Sequence, residues 1–374
     1  MSSFNSLDAL EFFPVGLTTL DLGRLFPPTG ILGQAYSFAS YLLGVLGREQ
    51  ASLRFHHRAL ATADSASDEH ARADILRNWS GYLVTLGRWD EAITHARQAN
   101  AIVQTVGPVR PPSPLSVWGY AEFMRGDLAK AERLFDEMLE GSRTSREAYH
   151  AMSGQVKRAA ILLRRGDLGP AMDQLEDCED LVRTLGVVPM LVDWLSLVAW
   201  CAWSMHEVDR SRSTMVDALE IMARADAFTH PAAYDGFARA ARLAIVMWRR
   251  AVDEGVPGTG TPRADVETAV GALKRLHRGL PISGPILSLC QAWIRHLDGR
   301  DASRWWEEAA VRARAMSMPF ELAVVLHDHA TTLVEGDPSR LALLEEVRQI
   351  SGSHGFGPPE IVPPPAARAG ASRA

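Results

Sequence analysis

The chain is nearly devoid of lysine: Lys130, Lys157 and Lys274 are the three among 374 residues, and arginine supplies the rest of the positive charge. With 39 basic against 45 acidic residues and no run of either sign, the formal charge of −6 lacks the footprint that binding a phosphate backbone demands. Cysteine is equally sparse. Cys178, Cys201 and Cys290 lie far apart, with no CxxC and no Cys/His pairing, which excludes a disulfide framework and a structural zinc site. They read as small apolar residues in a reducing compartment. The longest apolar stretches stay far short of the ~20 residues of a membrane span, and the first residues have no basic, apolar leader pattern. A cytoplasmic protein with neither nucleic acid nor membrane as partner is the expectation.

Catalytic and metal signatures are missing as well. No GxxxxGK[ST], HExxH or nucleophile elbow occurs, and the one Gly-rich segment, GVPGTGTP at residues 255–262, has no lysine and reads as a loop. The two imidazoles of His327-Asp328-His329 stand about 200° apart around a helix, so they cannot share a metal as an i, i+4 pair does. Adjacent His56-His57 has the same defect. Neither a cofactor nor a metal is expected.

What is present is a long internal period. LGRWDEAITHARQA (86–99), RGDLAKAERLFDEML (125–139) and RGDLGPAMDQLEDC (165–178) share one grammar, with a weaker copy at 46–60. Their turn glycines, Gly47, Gly87, Gly126 and Gly166, are spaced 40, 39 and 40 residues apart, and His206 stands 40 further on. A glycine there ends the first helix of a pair in a left-handed conformation. Small residues five after it (Ala92, Ala131, Ala171) and seven before it (Ser40, Ser80, Gly119, Ala159) let the two helices approach closely. Four such matches in register over about 160 residues specify an all-α solenoid of about eight antiparallel pairs.

These offsets resemble the tetratricopeptide repeat, at a period near 40 rather than the usual ~34 residues. The longer period and the stretch at 278–330 resemble the C-terminal repeat region of bacterial signalling proteins that carry an AAA or P-loop ATPase, often with a nucleotidyl cyclase or kinase. The resemblance spans roughly residues 31–350. It implies a TPR-like fold and a sensing or scaffolding role, while the ATPase and cyclase signatures themselves are absent from this sequence.

Three segments follow: a Phe/Leu/Pro-rich cap at 1–30, the repeat domain at 31–350, and a Pro/Ala/Gly-rich tail at 351–374 expected to be disordered. The resemblance further implies that the first helix of each pair lines a concave groove. Counting back from each turn puts Tyr41, Asp74, Arg77, Ser116, Tyr120, Phe123, Asp193, Ser196, Trp200, Trp203, Trp293 and His296 there. That lining is aromatic, small-polar and nearly uncharged, and it suits a protein segment or a hydrophobic small molecule rather than an acidic tail. Aromatics at helical spacing are also common core residues; Trp79 and Trp118 fall at packing positions, and Trp200 and Trp203 fit either role.

The acidic run with Asp173, Asp177 and Asp180 reads as a solvated outer helix face. His206, Glu207 and Asp209 read as a turn residue and the capping of the next helix. Asp193, Tyr120 and Arg77 are the one set that could unite an acid, a phenol and a cation across neighbouring helices. The leading reading is therefore a ligand- or partner-binding scaffold. The alternative is a stand-alone biosynthetic enzyme of cyclase or isomerase type, acting on a hydrophobic molecule in the groove.

Overall fold

Each helix pair is built on a residue that the backbone holds left-handed. Gly47, Gly87, Gly126 and Gly166 have φ between +74° and +89°, and His206 takes the same place at +68°. His206 is thus the non-glycine substitute in the turn, and Gly255, Gly299 and Gly336 serve the later pairs. A computed structural model describes residues 28–107, 113–145, 147–225, 231–255 and 260–358, and no strand occurs among the described residues.

Eight helix pairs follow one another. They are α1 (Gly30–Val45) with α2 (Glu49–Ser65), α3 (Glu69–Thr85) with α4 (Trp89–Val106), and α5 (Pro114–Met124) with α6 (Leu128–Ser145). Next, α7 (Ala148–Arg165) pairs with α8 (Leu168–Asp177) and its continuation α9 (Glu179–Leu185), and α10 (Val188–Ser204) with α11 (Val208–Arg224). Finally come α12 (Ala233–Asp253) with α13 (Gly260–His277), α14 (Gly284–Leu297) with α15 (Ser303–Ala315), and α16 (Pro319–Thr332) with α17 (Pro338–His354). This is a TPR-like all-α solenoid. Thr29, Asp68 and Ser113 cap α1, α3 and α5 by accepting from backbone N–H groups, and prolines open α5, α10, α14, α16 and α17, where a missing N–H costs nothing.

The small residues sit where the two helices of a pair cross. Ser40 Oγ donates to the Ser52 carbonyl at 2.7 Å and Ser80 Oγ to the Ala92 carbonyl at 2.6 Å. In the fifth pair the hydroxyl changes sides: Ser211 Oγ donates to the Ala199 carbonyl at 2.7 Å. Only side chains this short bring the backbones within reach of such bonds.

Successive first helices also pack on one another, which buries them on both flanks. Every residue of α10 from Val192 to Trp203 is buried. The array then turns back on itself. Trp89 Nε1 donates to the Met316 carbonyl, Arg164 pairs with Glu321, and the Gly357 N–H donates to the Arg164 carbonyl at 2.8 Å. The last two pairs therefore seat against pairs two to four, and the superhelix packs back on its own earlier turn.

Some boundaries differ from expectation. Helix α17 runs to His354 and Phe356 is buried edge-on against Phe320, so the packed chain continues beyond residue 350. Residues 359–374 of the tail, 1–27 of the cap and 256–259 of the Gly/Pro/Thr loop lie outside the described residues. Among the described residues no helix is long and apolar enough to cross a membrane.

The closest helix crossing tests this packing. A Cβ on Gly236 would lie 2.7 Å from the Asp193 backbone, so Gly236→Ala must push α12 off α10 and should cost about 1–3 kcal/mol. A Cβ on helical Gly81 meets nothing within 4 Å, so Gly81→Ala should stabilise by about 0.5–1 kcal/mol. Urea denaturation of both variants checks the pair.

Candidate functional site

Packing of the late pairs on the earlier ones turns the inner face into an interior, and charged side chains are buried with it. On α12, Asp235, Arg239 and Arg242 recur at i, i+4 and i+7, one stripe of a helix. Lys157 and Arg164 on α7, Asp193 and Trp200 on α10, and Glu321 and Asp328 on α16 are likewise seven residues apart. These stripes converge where α16 meets α7, α10 and α12.

The charges are matched. Lys157 Nζ donates to Asp193 Oδ2 at 2.8 Å and Asp235 Oδ2 at 2.7 Å. Arg239 Nη1 donates to Asp193 Oδ1 at 2.8 Å and Ser196 Oγ at 2.9 Å. Arg164 donates to Glu321 Oε1 at 2.8 Å and to the Phe123 carbonyl at 2.9 Å, with its guanidinium between the rings of Phe123 and Phe320. Arg242 is the weakly held member. It lies over the Trp200 ring at 4.8 Å and comes no nearer to Asp328 Oδ1 than 3.9 Å.

Burial and pairing compete in this cluster. Burial opposes charge on Lys157, but Asp193 and Asp235 outweigh it and hold the ammonium above its ordinary range. Burial likewise opposes the Asp235 carboxylate, and Lys157, Arg164 and Arg239 overcome it and pull its pKa down. For Glu321 burial prevails over Arg164 and raises the carboxyl. For Arg242 it prevails over Asp328 and lowers the guanidinium. Burial also lifts the Tyr120 and Tyr234 hydroxyls well above the usual phenol range.

A cavity of about 50 Å³ opens inside this cluster, walled by Arg164, Trp200, Tyr234, Asp235, Arg239, Arg242, Ile286, Phe320, Glu321 and Val324. Buried polar atoms at it have no hydrogen-bond partner: the Tyr234 hydroxyl, Glu321 Oε2 and Arg242 Nε, with the Tyr120 hydroxyl and Trp203 Nε1 nearby in the core. A wider cleft of about 610 Å³ lies at the seam between early and late pairs, among Trp89, Arg125, Arg314, Pro319 and His354. Its arginines are already engaged, Arg125 by Asp90 and Arg314 by Glu346.

The residues predicted for the groove divide among several places. Tyr120, Phe123, Asp193, Ser196 and Trp200 join the central cluster, where Lys157 Nζ also sits 4.9 Å from the Tyr120 ring. Trp203 is fully buried beneath Arg250. Asp74 and Arg77 pair with each other at 2.8 Å, and Tyr41 packs edge-on against Tyr82. Ser116 donates to the Ser113 carbonyl within its own first turn. Trp293 Nε1 donates to Asp328 Oδ2 at 2.9 Å, and His296 is exposed beside it. Of the set Asp193, Tyr120 and Arg77, the first two meet around Lys157 and the third is held by Asp74.

The expectation of a nearly uncharged lining is corrected by the structure: the inner face encloses Lys157, Arg164, Asp193, Asp235, Arg239, Arg242, Glu321 and Asp328. Counting back from the turn residues passed over Lys157, which lies next to the fully buried Val156. The signal that finds these residues is a charge recurring at seven-residue spacing on otherwise apolar helices. Asp173, Asp177 and Asp180 are exposed and His206 holds the left-handed turn, as expected; the expected capping by the acids is corrected, because Glu207 stands at the N-cap of α11 without a side-chain capping bond. Trp79 is buried and stacked on His56, while Trp118 is half-buried and donates to Glu122. The three cysteines are buried and unpaired, with thiols pushed up to about 12 by burial.

No protein-family model matches the chain, and no curated protein matches it. Among solved structures it is similar in fold to the apo form of the quorum sensor NprR from B. thuringiensis. That likeness covers 94% of this chain and 95% of the other, with a TM-score of 0.51 at 14% identity. At that identity the likeness is one of fold.

Two measurements probe this electrostatic arrangement. Lys157→Met leaves two buried carboxylates facing each other and should cost about 3–5 kcal/mol, whereas Arg88→Ala breaks an exposed pair with Glu91 and should stay within about 1 kcal/mol. Urea denaturation separates them. The second concerns His56, stacked on Trp79 and lowered to about 3 by burial, with His95 and His57 adding repulsion. The unfolded chain takes up that proton near its ordinary value of 6.5 and the folded chain does not. Its contribution to stability is therefore complete above 6.5 and is lost as pH falls towards 3. Thermal midpoints measured through that window should fall less steeply for His56→Phe than for the wild type.

Proposed function

We propose that this protein is a regulatory binding module whose self-packed superhelix holds a small molecule in the central cavity, ligand occupancy strengthening the contact of the last helix pair with pairs three and four. The observation that carries this reading is the convergence of buried, unpartnered polar atoms on one small cavity at the closure point. A buried polar group without a partner costs about 1–3 kcal/mol, and a ligand that satisfies three of them gains in proportion. The aromatic and aliphatic walls fit the apolar body of such a ligand. A cavity of about 50 Å³ suits a compact molecule of a few heavy atoms better than an extended protein segment, which needs a long open groove.

The fold of a quorum sensor, and the resemblance of the repeats to the sensor region of AAA ATPase–cyclase signalling proteins, support a regulatory role in the cytoplasm. The alternative, catalysis on a hydrophobic molecule, is weakened by the pairing of Asp193 with both Lys157 and Arg239, which engages both of its carboxylate oxygens.

The test is a thermal-shift comparison of the full-length protein with a bacterial extract split by size. The small-molecule fraction should raise the unfolding midpoint of the wild type and leave Trp200→Ala unchanged. An effect confined to the macromolecular fraction, or an equal effect on Trp200→Ala, overturns the reading.

A further inference from the structure

Resting on that reading, the geometry points to the ligand class: a carboxylate of one or two carbons, formate or acetate, bound at Arg242 together with one proton taken up by Glu321. Size, unmet hydrogen bonds and charge balance carry the assignment.

Size sets the upper limit. A cavity of about 50 Å³ holds about four waters at the roughly 10–15 Å³ that each requires. Formate has three heavy atoms and acetate four, so both match that room, whereas longer acids and peptides exceed it.

Unmet hydrogen bonds set the polarity. Arg242, Tyr234 and Glu321 wall the cavity and are 8%, 1% and 4% exposed. Each carries a polar atom without a partner: Nε, the hydroxyl and Oε2. The first is a donor only, and the second is able to donate. Asp328 Oδ1 lies 3.9 Å from Arg242, beyond hydrogen-bond distance, and Asp328 already accepts from Trp293 Nε1 at 2.9 Å. Arg242 is thus the buried cation in want of an acceptor, and an anion supplies one. Chloride would leave most of the room empty. Nitrate would turn an oxygen towards the apolar walls of Trp200, Ile286, Phe320 and Val324. A short carboxylate offers oxygens to the donors and C–H groups to those walls.

Charge balance brings in the proton. The enclosed cluster already holds four basic side chains against four acidic ones. An anion added alone would leave a negative charge uncompensated in a buried site, which is strongly unfavourable. Glu321 is the group that restores the balance. It is faced by Arg164 from α7 and by Asp235, Arg242 and the Tyr234 hydroxyl from α12. Its Oε1 accepts from Arg164 at 2.8 Å, while Oε2 is free to take a proton from solvent. Burial outweighs Arg164 and raises this carboxyl, and a second carboxylate beside it raises it further. Once protonated, Oε2 becomes another donor to the bound anion.

Isothermal titration of the full-length wild-type protein with sodium acetate, at constant ionic strength, tests the assignment. Acetamide keeps the size and loses the charge; butanoate keeps the charge and exceeds the room. Acetate should bind, and each of the other two should bind on the order of tenfold more weakly or worse. Acetate affinity should rise by up to about tenfold as pH falls from about 7 to about 6, with one proton taken up per acetate in buffers of different ionisation enthalpy. Glu321→Gln places a permanent donor where the protonated oxygen would stand, so it should keep acetate binding and lose the pH dependence. Arg242→Met should lose binding. Circular dichroism checks that both variants fold, and the ligand series on the wild type decides by itself. Equal binding of acetate and acetamide, or of acetate and butanoate, overturns the assignment, as does failure of both formate and acetate to bind. Acetate binding without proton uptake overturns the role of Glu321. If the small-molecule fraction of the extract stabilises the protein while neither formate nor acetate binds, the carboxylate assignment falls and the binding-module reading stands. If neither has an effect, water alone fills the cavity and both fall.

Discussion

The salt bridge between Arg164 and Glu321 joins two helices separated by 157 positions in the chain, and the self-packed form of the solenoid depends on it. Arg164 belongs to the fourth pair and Glu321 to the eighth. The guanidinium is clamped between Phe123 below and Phe320 above, and the adjacent backbone carbonyl accepts the Gly357 N–H from beyond the last helix. The salt bridge acts together with the Trp89–Met316 and Gly357–Arg164 hydrogen bonds that join the late pairs to the early ones. With these contacts the inner face becomes an interior, and every charge there must find a partner or leave its group unsatisfied.

That requirement explains the arrangement of the cluster. The pairs are shared between neighbours rather than formed one to one: Lys157 serves two carboxylates and Asp193 two cations. A network of this kind locks α7, α10 and α12 to one another at a fixed spacing, set in turn by Gly236 against the Asp193 backbone. Most of the network is saturated. The exceptions are Arg242, Tyr234 and Glu321 at the cavity and the Tyr120 hydroxyl near it, and the proposed ligand site rests on these donors and acceptors rather than on the shape of a groove.

The same self-packing accounts for where the aromatics went. Ten tryptophans in a solenoid of 374 residues could have formed an exposed binding stripe. Instead Trp79 stacks on His56, Trp89 ties the second pair to the seventh, and Trp293 and Trp306 meet edge to face. Trp200 alone of the two predicted groove tryptophans on α10 keeps a face towards the cavity, because Trp203 lies one turn further on, beneath Arg250.

The repeat, its period near 40 residues and the turn at His206 were all legible in the sequence. They depend on local physics: a left-handed backbone position favours glycine, and a close helix crossing admits only small residues. The identity of the helices on the inner face followed from the tetratricopeptide resemblance rather than from local physics. The polarity of that face was not legible. A charge such as Lys157 or Asp235 on an amphipathic helix reads as solvent-facing whenever its partners lie in other repeats, and Asp193 meets Arg239 46 residues away. Whether an α-solenoid stays open or packs on itself is decided by the small rotation between successive pairs, summed over eight of them. No single repeat encodes that sum, so the self-packed turn, its buried ionic cluster and the cavity within it were decided by tertiary structure alone.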